Sequence, residues 1–250
     1  MKRNVRLSAL FAFSIIASSL TLPAWAAPVI YRETGGKESI NLDPEGLSIL
    51  EDVGLTFVSG ENTALPAPGF TYGWALLPPN SSPNVRGTDF SFSYDADTDV
   101  YIPVAGTEEF SGTLLFEVDS TKLNLGSQLV LGNLSASFND RFEFSAVDTA
   151  TTNLRLFDVK SSGAPVIDVE SQSWFLEDIE ILATQEFSDF LNAAGAELSI
   201  TGTRIATVRG DRVFVPENDT AKSVPEMTSL IGLFGFSGWM LAGFKRLQRA

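Results

Sequence analysis

Short segments of alternating apolar and polar residues recur between residues 27 and 215, separated by Gly, Asn, Asp, Ser or Pro. Such alternation has the period of a β-strand with one buried face. From Asp89 to Tyr94, for example, Phe90, Phe92 and Tyr94 fall on one face. The other predicted strands are Val29 to Glu33, Leu55 to Ser59, Gly112 to Val118, Gln128 to Leu131, Ser135 to Phe138, Phe142 to Val147, Leu154 to Val159, Val166 to Glu170, Ile179 to Leu182, Leu198 to Thr201, Thr203 to Val208 and Val213 to Val215. Many short strands without interleaved helices predict an all-β domain at residues 27–215, with an antiparallel β-sandwich or jelly-roll-like fold.

The segment from Thr184 to Ala194 departs from the alternating pattern. Its apolar residues recur at three- and four-residue spacing, as they do on one face of a helix. Thr184 can cap the start of this helix, and Gly195 can end it. We therefore expect one short helix here, packed against the strands.

A proline-rich stretch from Leu65 to Asn84 contains two aromatic residues, Tyr72 and Trp74. These residues can belong to a core strand from Phe70 to Leu77, or they can form an exposed platform on which a sugar stacks. Trp174 allows the same two interpretations. We favour core positions, and a carbohydrate-binding module is the alternative.

The composition excludes several kinds of catalytic site. The chain contains no His and no Cys, which excludes a Ser-His-Asp triad, a thiolate nucleophile and a zinc site with His or Cys ligands. Carboxylates remain, and glycoside hydrolysis needs only a suitably spaced pair of them. Among 31 Asp and Glu residues no pair stands out. We expect a non-catalytic protein, with a carboxylate-dependent glycoside hydrolase as the less favoured alternative.

Three alternating acidic residues, Asp95, Asp97 and Asp99, form a candidate metal site. Ca²⁺ prefers oxygen ligands, and this spacing matches the first half of a calcium-binding loop. The second half does not match an EF-hand, because Val100 and Gly106 occupy the positions that require Gly and Glu. Two interpretations are open: a looser Ca²⁺ site completed by distant residues, and an acidic turn that joins two strands.

The chain is acidic, with a formal net charge of −14. Each terminal segment contains three cations, so the central domain is more acidic than the whole chain. An acidic surface repels the phosphates of nucleic acid. We therefore expect no nucleic-acid partner.

Residues 1–26 have the order of a secretory signal peptide. Lys2, Arg3 and Arg6 precede an apolar run, and Ala24 and Ala26 form a small-residue cleavage site at its end. We expect the secretion machinery to export the chain and a peptidase to cut it after Ala26. An uncleaved N-terminal anchor is the alternative.

The C-terminal segment, residues 224–250, consists of a turn, an apolar run at residues 228–244 and a basic end. The turn is formed by Val224, Pro225 and Glu226, and the basic end by Lys245, Arg246 and Arg249. Helical residues rise by about 1.5 Å each, so this run reaches about 25 Å, close to the thickness of a membrane core. It predicts a transmembrane helix whose basic end stays cytoplasmic. The polar residues 216–223 before it predict a linker.

This C-terminal segment resembles the PEP-CTERM sorting signal of Gram-negative bacteria, in which a Pro-Glu-Pro turn precedes a membrane helix and a basic end. Met227 departs from the pattern, because the family has a second proline there. The resemblance implies a transient inner-membrane anchor, processing by an exosortase-type enzyme, and delivery to the cell surface or extracellular matrix. It also implies association with exopolysaccharide, as in biofilms. The alternatives are an ordinary C-terminal anchor and a buried hydrophobic helix of a soluble domain.

Overall fold

The computed structural model describes residues 28–82 and 84–217. The predicted signal peptide, residues 218–223 of the linker and the whole C-terminal segment lie outside the described residues. Strands make up most of the secondary structure. None of the helices in the described part of the chain is long and apolar enough to cross a membrane.

The described residues form fourteen strands and two helices, which we number in chain order. The strands are β1 Val29–Leu42, β2 Leu55–Gly60, β3 Tyr72–Leu76, β4 Ser91–Asp95, β5 Val100–Ala105, β6 Glu108–Glu109, β7 Thr113–Val118, β8 Gln128–Gly132, β9 Ser135–Phe138, β10 Phe144–Val147, β11 Arg155–Ser161, β12 Val166–Asp168, β13 Ser173–Ala183 and β14 Arg204–Pro216. The helices are α1 Pro44–Asp52 and α2 Gln185–Ala193.

The prediction of an antiparallel all-β domain is confirmed, because every strand pair within the described residues runs antiparallel. One predicted strand, Leu198 to Thr201, is wrong. The Ile200 N–H there donates to the Ser188 hydroxyl of α2 at 3.1 Å, so this segment packs on the helix instead of joining a sheet. The two predicted strands at residues 203–208 and 213–215 are parts of one strand, β14.

The predicted helix is confirmed as α2, but a second helix, α1, was not predicted. The Thr184 hydroxyl caps α2 by accepting from the Phe187 N–H at 3.1 Å, and Phe187 and Leu191 bury its apolar face. Helix α1 begins at Pro44, directly after Asp43, whose side chain accepts from two backbone N–H groups of the first turn. The N-termini of both helices are thus capped by side chains in the usual way.

The strands form two sheets. The large sheet has eleven strands in the order β5-β4-β1-β14-β13-β11-β10-β9-β6, with β3 also paired to β1 and β12 also paired to β13. The small sheet has the order β2-β7-β8. Residues from both sheets form one apolar core, in which Leu55 and Phe116 of the small sheet lie with Phe157 and Val208 of the large sheet. This sheet-on-sheet packing is sandwich-like.

The large sheet curls until β3 meets the end of β6, a closure that the strand pattern does not predict. Leu76 at the end of β3 forms a bridge with Phe110, the residue after β6. The Leu77 N–H donates to the Glu109 carbonyl at 2.7 Å, and the Ser111 N–H donates to the Ala75 carbonyl at 3.0 Å. Since β3 also pairs with β1, eight strands form a continuous ring: β1, β14, β13, β11, β10, β9, β6 and β3.

Candidate functional site

The ring of strands encloses an apolar cavity of about 460 Å³. Its walls include Ile40 of β1, Trp74 of β3, Phe157 of β11, Ile181 of β13 and Val208 of β14. Ligand pockets in proteins commonly measure about 300–1,000 Å³ and are lined mainly by apolar side chains with a few polar groups. The size and lining of this cavity are therefore those of a site for a small molecule.

Two exposed apolar residues mark the mouth of the cavity. Ile102 of β5 is 42% exposed and Phe142, in the turn between β9 and β10, is 53% exposed, although both line the cavity. Pro103 and Pro165 also line the cavity. The cavity is therefore open to solvent beside apolar side chains.

The polar end of the cavity is built around Arg212, which is only 2% exposed. Its Nε donates to Glu108 Oε1 at 2.6 Å, and its Nη2 donates to Glu38 Oε1. Its Nη1 donates to the carbonyls of Lys37 and Asp211 at 2.7 and 3.2 Å. A guanidinium has five N–H donors, so these contacts occupy four of them.

A third carboxylate, that of Glu33, completes the polar end. Its Oε2 lies 3.7 Å from Arg212 Nε, and its Oε1 accepts from Trp174 Nε1 at 3.1 Å. The Arg212 guanidinium carbon also lies 5.1 Å from the centre of the Trp174 ring and 5.0 Å from that of Phe110. These are cation–π distances, so aromatic faces help to hold the buried cation.

A β-bulge in β1 brings two of the carboxylates together. Glu33 and Glu38 are five residues apart, so a regular strand would place them on opposite faces. The pairing of β1 with β14 shifts register between Glu33 and Gly35, and this extra residue restores both carboxylates to the Arg212 side. Gly36, directly opposite Arg212, leaves the necessary room, since a Cβ there would lie 2.2 Å from the Asp211 carbonyl oxygen.

Burial changes the ionisation of this cluster. Desolvation, followed by the negative charge of Glu108, raises the pKa of Glu33 well above its ordinary value. Desolvation also raises the pKa of Glu38. Burial alone would lower the pKa of Arg212, but the charges of Glu108, Glu38 and Glu33 outweigh it and raise that pKa. The cluster therefore holds a charged guanidinium and a Glu33 carboxyl that keeps its proton well above the usual range.

Two carboxylate oxygens of the cluster lack a hydrogen-bond partner among the described residues, Glu33 Oε2 and Glu38 Oε2. Glu33 lies against Glu108, so a proton on Glu33 can be shared between these two side chains. Glu38 instead lines the cavity. Its unpaired oxygen thus belongs to a side chain that a bound molecule can contact.

The predicted metal residues form an acidic turn between β4 and β5, one of the two arrangements that the sequence allowed. Asp95 Oδ1 accepts from the Asp97 N–H at 2.9 Å, and the Tyr94 hydroxyl donates to Asp99 Oδ1 at 2.9 Å. In residues 28–82 and 84–217 no three acidic side chains are grouped so that they could hold a metal ion. Calcium binding at this turn stays a prediction.

Both tryptophans proposed for sugar stacking are buried. Trp74 is 4% exposed in β3, within the predicted core strand, and its Nε1 donates to the Glu61 carbonyl at 2.9 Å. Trp174 is 7% exposed. The prediction that they are core residues is confirmed, and neither presents a ring face at the surface. The other predicted site residues, at both termini, lie outside the described residues: Ala24, Ala26, Val224, Pro225, Glu226, Lys245, Arg246 and Arg249.

Neither the cavity nor its polar end follows from the predicted strands. The sequence of β14 contains a signal for the buried cation. The alternation of buried and exposed positions continues through Gly210, Asp211 and Arg212, which we interpreted as a turn between two strands. On that register Arg212 falls on the same face as Ala206, Val208 and Phe214, all of which are buried. A charged residue at an inward position is the pattern of a buried ion pair. Its carboxylate partners come from β1 and β6, which no local pattern connects to it.

Comparison with known proteins assigns no family: no family model matches the chain, and neither a curated protein nor a solved structure matches it.

Proposed function

We propose that this chain is an exported, non-catalytic protein whose domain binds a small, largely apolar molecule in the cavity of the large sheet. The observation that supports binding is the cavity itself, about 460 Å³ in volume and lined by aliphatic and aromatic side chains around one polar cluster. Protein interiors are otherwise close-packed, with few voids larger than a water molecule. A bound molecule would restore the dispersion contacts that the walls of such a void lack.

The terminal segments support the export part of the proposal. A signal peptide at residues 1–26 delivers the chain across the inner membrane, and the PEP-CTERM-like segment anchors it there transiently. An exosortase-type enzyme then cuts near Val224 to Met227, and the domain reaches the cell surface or the extracellular matrix. Association with exopolysaccharide belongs to the same proposal and rests on the resemblance.

Cavity binding is tested by filling the cavity. Ala206 of β14 lines the cavity, so Ala206→Phe places a ring inside it. We expect the full chain in nanodiscs of zwitterionic lipid to bind the neutral fluorescent probe N-phenyl-naphthylamine. Ala206→Phe should weaken binding by about tenfold or more, which corresponds to about 1.4 kcal/mol.

The matched control is Thr207→Phe, which adds the same ring to the opposite face of the same strand. It should bind the probe like the wild type. Empty nanodiscs give the background from the lipid. Equal binding by the wild type and Ala206→Phe would show that the probe does not occupy the cavity, and the binding proposal would fail.

Export is tested by intact mass after fractionation of the producing cells. We expect a species that begins at Ala27 and ends near Val224 outside the cell. A species that keeps Lys245, Arg246 and Arg249 and stays in the inner membrane would instead show an ordinary anchor. That result would remove the exosortase from the proposal and leave cavity binding untouched.

A further inference from the structure

We propose that the cavity selects an apolar cation, a molecule with an apolar body and an ammonium group that lies against the free carboxylate oxygen of Glu38. This inference rests on the proposed binding function and adds the charge of the ligand. The first reason is the count of charges. Even with Glu33 protonated, two carboxylates, those of Glu38 and Glu108, contact the single guanidinium of Arg212.

An anionic ligand such as a fatty acid would find little to bind at this polar end. Arg212 already directs four of its five donors to Glu38, Glu108 and two backbone carbonyls. A ligand carboxylate would therefore have to displace an existing ion pair and lie beside the remaining carboxylates. Such like-charge contact is costly in a site of low dielectric constant.

A cationic ligand, by contrast, supplies what the cluster lacks. Glu38 Oε2 is an acceptor without a donor among the residues that the structure describes, and it belongs to a residue that lines the cavity. An unsatisfied buried acceptor costs about 1–3 kcal/mol, which an N–H donor from the ligand recovers. An ammonium also reduces the negative charge of the cluster, whereas a neutral hydroxyl satisfies only the hydrogen bond.

Aromatic rings in the cavity wall favour the same charge. Trp74 lies directly opposite Glu38 in the β1–β3 pair, and Tyr101 also lines the cavity, whereas Trp174 and Phe110 already contact Arg212. Ammonium groups are attracted to such ring faces. The acidic net charge of the chain, −14, additionally raises the concentration of cations near the surface.

The head group of the ligand is tested with three molecules that share one apolar body: phenylbutylamine, phenylbutanol and phenylbutyrate. Each displaces N-phenyl-naphthylamine from the full chain in nanodiscs. We expect phenylbutylamine to displace the probe at a concentration about tenfold lower than phenylbutyrate, with phenylbutanol between them. Alkylammonium groups keep their proton to about pH 10, so the amine is a cation throughout the assay.

Glu38→Gln removes the charge of the proposed partner and keeps its shape. We expect this variant to bind phenylbutanol as the wild type does and to lose most of its preference for phenylbutylamine. Unchanged phenylbutanol binding shows that the cavity is intact. The matched control, Glu117→Gln, makes the same charge change at an exposed position of β7 and should keep the full preference.

The pH dependence gives an independent readout. The charged groups that act on Glu38 are Arg212 and Asp211 of β14 and Glu108 of β6. Because burial raises the pKa of Glu38, its ionised fraction increases with pH above the ordinary value of 4.5. Phenylbutylamine should therefore bind more tightly as the pH rises through this range, while phenylbutanol should not.

The possible failures are distinct. If the probe binds in the cavity but phenylbutyrate displaces it as well as phenylbutylamine does, the inference about charge is overturned and cavity binding stands. This comparison uses the wild type alone, so it holds even if Glu38→Gln does not fold. If the probe does not bind the wild type, the proposed function and the inference fail together.

Discussion

At the scale of single residues, the central feature is a cation buried among three carboxylates. Transfer of Arg212 out of water is costly, and its ion pairs, hydrogen bonds and aromatic contacts offset that cost. An excess of carboxylates over guanidinium groups adds repulsion, which a proton on Glu33 relieves. The ionisation of Glu33 should therefore control the stability of the domain.

Stability should fall as the pH rises above the ordinary pKa of Glu33, 4.5. Burial first, and the charge of Glu108 second, raise the pKa of Glu33 in the folded state. Between 4.5 and that raised pKa, the unfolded chain releases a proton that the folded chain keeps. The raised pKa of Glu33 therefore stabilises the folded state fully below pH 4.5. This contribution is lost as the pH rises through the pKa of Glu33 in the folded state.

Glu33→Gln should remove this loss, because an amide copies the protonated carboxyl and can still accept from Trp174. Relative to the wild type, the variant should gain up to about 1.4 kcal/mol of unfolding free energy per pH unit within that window. Urea unfolding at a series of pH values measures the difference. Exposed Glu117→Gln is the control, and parallel curves for Glu33→Gln and the wild type would show that Glu33 ionises normally.

At the scale of elements, local patterns predicted most strands and one helix because those elements depend on nearby residues. Helix α2 combines a helical apolar face with the Thr184 cap, and both are visible in the sequence. Helix α1 carries a comparable signal, since Asp43 and Pro44 form a cap and a first helical position. We missed it because its apolar face is short. Residues 198–201 alternate like a strand but pack on α2.

The polar end of the cavity was not predictable from local patterns, for a geometrical reason. Alternation places Glu33 and Glu38 on opposite faces, and only the bulge near Gly35 reverses this. A bulge is one extra residue in one strand, defined by its pairing with another strand far along the chain. The arrangement of these carboxylates around Arg212 thus required the register of β1 against β14.

At the scale of the whole molecule, closure of the ring decides whether a cavity exists. The backbone contacts between β3 and the end of β6 form the seam of this ring. Arg86 reinforces this seam, because its Nε donates to Glu109 Oε2 at 2.9 Å. Its Nη2 also donates to three backbone carbonyls, those of Phe110 at 3.0 Å, Asn133 at 2.7 Å and Leu134 at 3.1 Å. One side chain thus connects the segment after β6 with the segment before β9.

Loss of this side chain should loosen the seam. In Arg86→Ala the buried carboxylate of Glu109 loses its guanidinium partner, and three carbonyls lose a donor. The Arg86 side chain is 33% exposed, so water replaces part of what is lost. We therefore expect the unfolding free energy to fall by about 1–3 kcal/mol. Amide hydrogen exchange should become faster at Leu77 and Phe110, whose N–H groups bond across or beside the seam.

The control for the seam is Arg155→Ala, because the one ion pair of the Arg155 side chain among the described residues is an exposed contact with Asp158 at 3.9 Å. It should leave exchange at Leu77 and Phe110 unchanged. A loosened seam should also release N-phenyl-naphthylamine faster from Arg86→Ala than from the wild type, since a bound molecule leaves more easily through a ring that opens. Equal exchange and equal release rates would mean that backbone hydrogen bonds alone keep the ring closed.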